Sequence, residues 1–543
     1  MLGEDPGGRD RLEPFEGEIG VSQTRPAVLP FSERIVVRFG ASLLANFLRV
    51  GLSFSSGLII ARGLGAAGYG DLNFLLGSFT AISQLTEIGT SSAFYTFISQ
   101  RRRGYKFFAI YLTWIGLQFA CTVVVVGLLL PVSLIDRIWV GHERRVVLLA
   151  FGASFLMTQV WGMVSHLGEA ARQTVLVQAA SVGQGIAHLV LVAAGTHWRW
   201  LTFQNVMWLL VAQYAAIGVI FGPRFVRANL AGRVDDREDA RAVAKEFASY
   251  CAPLVLYGWV GFFYAFGDRW LLQQFGGAGE QGYFSIGQQF ATISLLGTTS
   301  ILKVFWKEVA EAKARGDSRR VNRLYRSVSR SLYFAGAWMS CLLIPYSREI
   351  LRWTVGPGYE AAWLALGLML LFPIHQSLGQ IGMSFLYATG ETRRYTKISL
   401  VMMGASLPVA YLMLAPPSAT VPGLGLGAVG LAAKMVVLQI VGVNLQAYAI
   451  ARGDGPAYEV AHQAVVLPVL VVMAWVCKWI AGAVLGGGVG PWVEAWAMVL
   501  ASLLYAAGSL GLVCGIPTLA GLNRGQIRLA VSGSMRRLRL LGA

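Results

Sequence analysis

The sequence predicts an all-α, polytopic membrane protein with about fourteen transmembrane helices. Hydrophobic residues make up 55% of the 543-residue chain and charged residues only 13%, whereas an ordinary soluble protein carries about 25% charge. Apolar stretches of about 20 residues, the length that a helix needs to span a bilayer, recur from residue 39 to residue 516. These observations exclude a soluble enzyme.

The elements can be placed in order along the chain. Residues 1–31 are rich in Gly, Pro and charge and lack an apolar core, so we expect a disordered cytoplasmic tail there. Lys and Arg concentrate in the two tails and in alternate connections, which predicts that both termini are cytoplasmic. The predicted spans lie near 39–62, 72–98, 105–130, 146–167, 174–196, 200–222, 247–272, 282–305, 327–347, 361–388, 397–415, 424–450, 462–485 and 492–516.

An internal repeat organises these spans. Phe79–Ser83 (FTAIS) returns as Phe290–Ser294 (FATIS), and Gly70 returns at nearly the same spacing as Gly282. Repeats of this kind build many secondary transporters. The predicted domains are two pseudo-symmetric six-helix bundles (32–222 and 247–452), a cytoplasmic loop between them (223–246), two extra transmembrane helices (453–522) and a basic cytoplasmic tail (523–543). For that last tail, an interfacial helix and a frayed end are both open.

Charge and cysteine usage argue against several other functions. The net charge of +17 is scattered through short connections, so it indicates topology and predicts no nucleic-acid partner. The five cysteines form no C-x-x-C pair, and no cofactor or metal is expected. A G-x-G-x-x-G pattern at Gly425–Gly430 follows no soluble strand, so we interpret it as small residues in a helix interface.

Two segments resemble a known family. Ala61–Leu72 (ARGLGAAGYGDL) and Leu85–Ala93 (LTEIGTSSA) are similar to the first two spans of the polysaccharide transporters. These are the O-antigen and lipid-linked oligosaccharide flippases of the multidrug/oligosaccharidyl-lipid/polysaccharide (MOP) exporter superfamily. Ala66 replaces the family's usual proline, and Glu87 stands where Asp is commoner. The positions that match the family's motifs are Arg62, Gly65, Gly70, Asp268, Arg269, Gly282 and Tyr283.

The resemblance covers about residues 32–452 and carries a function with it. It implies a flippase, not an enzyme, that moves polyprenyl-diphosphate-linked oligosaccharide repeat units from the inner to the outer leaflet of a bacterial cytoplasmic membrane. Such a protein serves O-antigen, exopolysaccharide or capsule export by alternating access. Coupling to a proton or sodium gradient and contact with the polymerase and export machinery are further expectations.

Three alternatives stay open. A peptidoglycan-precursor flippase and a cation-coupled multidrug exporter share the superfamily. A membrane glycan polymerase or ligase would need a large outer loop with catalytic side chains, and the sequence predicts only short outer connections.

Polar side chains at helical spacing predict a polar path inside the first bundle. Each set below falls on one face of its span, where small polar residues either line a lumen or contact another helix. The sets are Asn46, Arg49, Ser53 and Ser56; Thr80, Ser83, Glu87 and Ser91; and Gln178, Ser181, Gln184 and His188.

Charged residues within spans are costly and predict functional sites. Arg49 is a candidate site for the diphosphate or an acidic sugar, or else the partner of Glu87 in a structural ion pair. Lys434 is its counterpart in the second half. Glu87 and Asp268 are the candidates for coupling to an ion gradient, although Asp268 could also pair with neighbouring structure.

Two further lumen candidates come from the second half. Tyr257 shares one helix face with Tyr250 and Tyr264 and could stack on a sugar or simply pack. His375 lies in the middle of its span and could bind a polar ligand or be a buried core histidine.

Overall fold

The computed structural model describes residues 31–230, 239–293, 298–452, 459–486 and 490–525. All regular secondary structure in these ranges is helical. The first half contains α1 (Phe31–Glu87), α2 (Thr90–Gln100), α3 (Tyr105–Val124), α4 (Val132–Ile138), α5 (Arg144–Phe155), α6 (Trp161–Ala170), α7 (Thr174–His197), α8 (Phe203–Leu230) and α9 (Ala240–Cys251). The predictions for the two terminal tails fall on 1–30 and 526–543, outside the described residues.

The second half has the same all-helical character. It contains α10 (Val255–Ile293), α11 (Thr298–Ala314), α12 (Ser318–Leu343), α13 (Ser347–Thr354), α14 (Trp363–Ala388), α15 (Thr392–Leu414) and α16 (Gly427–Ala451). The chain then adds α17 (Val460–Val484) and α18 (Pro491–Gly515), which pack on each other, while α17 also packs on α12.

The prediction of a multi-pass membrane protein is confirmed. Within the described ranges, 11 helical segments are long and apolar enough to cross a membrane. Two of them, in α1 and α10, are each bent into two helices at a glycine. The helix α12 is not among the 11, since its first half is rich in arginine. The count of fourteen stays a prediction.

The two bends are equivalent positions of the internal repeat. Gly65 in α1 has φ 68° and ψ 176°, and Gly277 in α10 has φ 77° and ψ −178°. Positive φ values favour glycine, which has no Cβ to clash with the backbone. Gly65 and Gly277 are separated by the same number of residues as Gly70 and Gly282. The repeat therefore extends from sequence to backbone conformation.

The connection between the halves, predicted to span 223–246, is helical over most of its described residues. The helix α8 continues through Pro223 to Leu230, and α9 packs on α2 and α3 of the first half. The fully buried guanidinium of Arg103 donates to both oxygens of Glu246, at 2.9 and 2.6 Å, which ties α9 to this half. A short 3₁₀ turn at Ala252–Leu254 then leads into α10.

Candidate substrate cavity between the two halves

A cavity of about 750 Å³ lies between the first and second halves of the chain. The first half contributes Gln84, Glu87, Ile88 and Gly89, where α1 ends and α2 begins. The second half contributes residues from the start of α10 and from α14, α15 and α16. The volume lies within the range of about 300–1,000 Å³ that is usual for ligand pockets.

The opposite end of the same interface is closed by backbone contacts between α1 and α10. A Cβ atom added to Gly70 would lie 1.8 Å from the carbonyl oxygen of Ala278, and one added to Gly282 would lie 2.0 Å from that of Ala66. These two contacts are related by the internal repeat. Only glycine allows helices to approach this closely, so both glycines are required for the closure.

Side-chain hydrogen bonds between the halves support this closed end. The Tyr69 hydroxyl donates to Gln289 Oε1 at 2.5 Å, and the Gln273 amide donates to Asp71 Oδ1 at 3.0 Å. The buried Tyr359 hydroxyl donates to the Ala61 carbonyl oxygen at 3.0 Å. The interface is therefore closed at one end and holds the cavity at the other.

Five of the seven family-motif residues gather at this closed end. Gly70 and Gly282 make the backbone contacts, Arg269 donates to the Asn73 carbonyl oxygen of the first half at 3.2 Å, and Tyr283 donates to the Gly358 carbonyl oxygen at 3.3 Å. Gly65 forms the bend just before the contact. Arg62 is exposed, and no contact explains its position in the motif.

Neutral polar groups dominate the polar part of the cavity wall. The carboxamide oxygens of Gln376 and Gln446 are buried and have no hydrogen-bond partner within the described residues. Amides both donate and accept, which suits ligands that are rich in hydroxyl groups. The uncharged polar side chains of the wall are Gln84, Gln376, Gln380, Gln439, Gln446, Tyr257, Tyr264, Tyr395 and Ser399.

The structure brings Lys434 and Asp268 together, although the sequence suggested separate roles for them. The Lys434 Nζ lies 2.5 Å from Asp268 Oδ2, in an ion pair between α16 and α10. The lysine side chain is 0% exposed, and its ammonium lies 5.1 Å from the centre of the Tyr264 ring. Lys434 therefore belongs to the cavity wall, with its charge already balanced.

The hypothetical ion pair between Arg49 and Glu87 is absent from this structure. Glu87 lines the cavity and accepts a hydrogen bond from the Ser91 backbone N–H at 2.9 Å. Arg49 is exposed and donates to Asn46 Oδ1 at 2.8 Å. Among the residues that the structure describes, no carboxylate lies within 4 Å of Arg49, and Arg49 is not part of the cavity wall.

The other sequence candidates are distributed between the cavity and the two bundles. Tyr257 lines the cavity and is 52% exposed. His188 Nδ1 lies 3.0 Å from Gln213 Oε1 of the neighbouring helix, away from the cavity wall. His375 is buried in the second half and contacts the Leu371 carbonyl oxygen at 3.3 Å. Ser53 is exposed on the first half of α1.

Sequence reasoning missed most of the glutamines that line the cavity. Gln376 and Gln380 are one turn apart on α14, and Gln439 and Gln446 are seven residues apart on α16. Both spacings place the two amides on one helix face, so the signal was present in the sequence. Within the described part of the chain, no cluster of three or more His, Cys, Asp or Glu side chains could hold a metal ion.

Comparisons with known proteins give a match to one family model and similarity to one fold. Residues 37–305 match the family model described as polysaccharide biosynthesis protein. Comparison with curated protein sequences gave no match.

Among solved structures, the chain is similar to one described as the lipid II flippase MurJ in an inward closed conformation. That match has 12% sequence identity, covers 89% of this chain and 99% of that one, and has a TM-score of 0.65. The chain is also similar to a multidrug resistance MATE family transporter of the MOP superfamily. The inward-facing form gives 14% identity, coverages of 77% and 98%, and a TM-score of 0.54. The outward-facing form gives 12% identity, coverages of 77% of this chain and 96% of that one, and a TM-score of 0.51. At identities this low, the structural similarity establishes a shared fold and nothing finer.

Proposed function

We propose that the chain is a flippase for lipid-linked oligosaccharides, because residues 37–305 match the model of the polysaccharide biosynthesis protein family and the fold is similar to that of MOP-superfamily transporters. It would carry polyprenyl-diphosphate-linked repeat units from the inner to the outer leaflet of the cytoplasmic membrane. The observation that carries this proposal is the cavity at one end of the interface between the halves, with close glycine contacts at the other.

This arrangement is one of the two states that alternating access requires. A sugar diphosphate cannot cross hydrocarbon unaided, because each unsatisfied polar group costs several kcal/mol there. The protein would hold the sugars in the cavity while the lipid chain stays in the bilayer. Opening of the Gly70–Gly282 contact, with closure of the cavity end, would then expose the sugars on the other side.

Under the proposed topology, the cavity of this state opens toward the cytoplasm. With both termini in the cytoplasm, α1 would cross outward before its bend at Gly65 and inward after it. Glu87 and the cavity would then lie toward the cytoplasm, and Gly70 toward the outside. A substrate made on the cytoplasmic face could therefore enter the state described above.

Ion coupling is a further part of this proposal. Glu87 lines the cavity, and one of its oxygens accepts a backbone hydrogen bond, so it is our first candidate for binding a proton or sodium ion. Asp268 is a weaker candidate, since its charge is balanced by Lys434. Arg49 remains a candidate for the diphosphate, outside the cavity wall.

The test is made in the host that carries the gene. The gene is deleted and replaced by the parent chain, by Gln376→Leu in the cavity wall, or by Gln204→Leu as a control at an exposed amide outside the cavity. Surface polysaccharide and lipid-linked repeat units are measured, and a membrane-impermeant oxidant reports which leaflet holds the units.

We expect the deletion strain to lose polymer and to retain complete repeat units in the inner leaflet. Gln376→Leu should restore export only partly, and Gln204→Leu fully. Normal polymer in the deletion strain would refute the proposal. Translocated units that stay unpolymerised would instead indicate a polymerase or ligase, and drug sensitivity with normal polymer would indicate an exporter.

A flippase for peptidoglycan precursor is the second candidate. One observation favours it: the match to the structure described as a lipid II flippase covers 89% of this chain, whereas the matches to the MATE transporter cover 77%. In the same deletion experiment, this candidate predicts loss of cell-wall integrity and accumulation of peptidoglycan precursor, with polymer export lost only as a consequence.

A further inference from the structure

The charges of the cavity wall restrict which sugars it accepts. Among the described residues that line the cavity, Glu87 and Lys434 are the ones with charged side chains. The ammonium of Lys434 is inaccessible and bound to Asp268. Building on the function proposed above, we infer that this cavity selects uncharged sugars and discriminates against acidic ones such as uronic acids.

Lys434 is not available to an incoming carboxylate. An anion that captured the ammonium would have to displace Asp268, whose other oxygen, Oδ1, is already buried without a hydrogen-bond partner in the described structure. A buried carboxylate that loses its counterion is strongly destabilised. The ion pair therefore withdraws the one cationic side chain of the described wall from substrate binding.

Glu87 provides the repulsive element. Its carboxylate lies in the cavity wall, where α1 ends before the turn formed by Ile88 and Gly89, both of which have positive φ. The backbone N–H of Ser91 binds one of its oxygens. A negatively charged sugar in the same cavity would face an unfavourable Coulomb interaction, which water screens poorly in a partly enclosed site.

Uncharged groups provide the attraction. The wall carries five glutamines, Gln84, Gln376, Gln380, Gln439 and Gln446, and carboxamides both donate to and accept from sugar hydroxyls. Tyr257, which is half exposed in the cavity, offers an aromatic face and a hydroxyl. Specificity would thus combine attraction for hydroxyl groups with repulsion of carboxylates, as selective sites commonly do.

The test measures equilibrium binding to the full-length protein in lipid nanodiscs. Three radiolabelled probes share one polyprenyl diphosphate: the first carries no sugar, the second a disaccharide ending in glucose, and the third the same disaccharide ending in glucuronic acid. Each probe is measured with the parent chain, with Glu87→Gln, and with Glu311→Gln as a control carboxylate outside the cavity.

We expect the parent chain to bind the glucose probe about tenfold more tightly than the glucuronate probe, a difference typical of one like charge in a partly screened site. Glu87→Gln should reduce that ratio to about threefold or less, and Glu311→Gln should leave it unchanged. The sugar-free probe should bind more weakly than the glucose probe.

Each other outcome overturns a different part of the argument. Equal or tighter binding of the glucuronate probe would refute the selectivity and leave the flippase proposal standing. A preference for glucose that Glu87→Gln does not alter would refute the role of the cavity charges. Sugar probes that bind no better than the sugar-free probe would refute recognition of glycans, and both proposals would fall together.

Discussion

Gly70→Ala tests whether the backbone contact between α1 and α10 holds the cavity-bearing state. The added Cβ would lie 1.8 Å from the Ala278 carbonyl oxygen and 2.8 Å from the Gly282 backbone nitrogen. An ordinary C···O contact is about 3.3–3.6 Å. The two helices would have to separate by about 1.5 Å at this point, because both atoms that meet the new methyl group belong to the backbone.

The expected effect on the equilibrium between states follows from this clash. Overpacking of a close contact costs about 1–3 kcal/mol, and this cost applies only while the contact is closed. The gain in helix propensity from Gly to Ala applies to both states and cancels. The closed contact should therefore lose about 5-fold to 150-fold in population relative to the opened one.

The assay is a distance measurement between spin labels at the closed end. The labels are attached through Trp198→Cys in the first half and Pro357→Cys in the second, both exposed, in a background without the native cysteines. We expect Gly70→Ala to shift the distribution to longer distances. Gly51→Ala, in the same helix with open space around the new methyl group, is the control and should cause no shift.

The reasoning would be refuted if Gly70→Ala and the parent chain gave the same distribution of spin-label distances. Gly282→Ala gives an independent check, because its Cβ would lie 2.0 Å from the Ala66 carbonyl oxygen at the position related by the repeat. If only one of the two variants opens the contact, then the two repeat-related glycine contacts do not contribute equally to the stability of the closed end.

Three further predictions concern single contacts. Asp268→Leu alone should destabilise the protein by about 3–5 kcal/mol in detergent thermal unfolding, because it leaves Lys434 buried without a counterion. Adding Lys434→Leu should recover most of that loss. A double variant that is no more stable than the single one would contradict this. Tyr359→Phe removes the hydrogen bond to the Ala61 carbonyl oxygen and should weaken the closed end by about 1 kcal/mol. The spin-label pair should then show a small increase in its long-distance fraction, and an unchanged fraction would contradict the prediction. Glu280→Gln removes a charge that accepts from the Ala428 backbone N–H in the first turn of α16. We expect a loss of about 0.5–2 kcal/mol in thermal unfolding, and an unchanged unfolding temperature would contradict this.

Local sequence patterns were sufficient to predict the membrane topology class and the repeat. Apolar runs report directly on bilayer crossing, and this prediction and the family resemblance are confirmed by the structure and the family match. The glycines at the repeat positions have a local cause as well, since Gly65 and Gly277 adopt a backbone conformation that side chains disfavour. For such features, the residue and its immediate neighbours carry the necessary information.

Side-chain partners could not be predicted in the same way. The sequence offered Arg49 as the partner of Glu87 and left Asp268 and Lys434 as separate candidates, whereas the structure pairs Asp268 with Lys434 and leaves Arg49 with Asn46. An ion pair depends on the rotation and axial shift of two helices, and neither appears in the periodicity of a single helix.

By itself, the sequence determined an all-α membrane protein of two related halves, and it placed glycines where the chain bends. Only the tertiary structure decided that Gly70 and Gly282 meet the opposite half at backbone distance, and that the glutamines of α14 and α16 face one cavity with Glu87. The physical reason is that the composition and length of an apolar segment govern whether it enters the membrane. Which face of each helix contacts a neighbouring helix is decided by the packing of all the helices together.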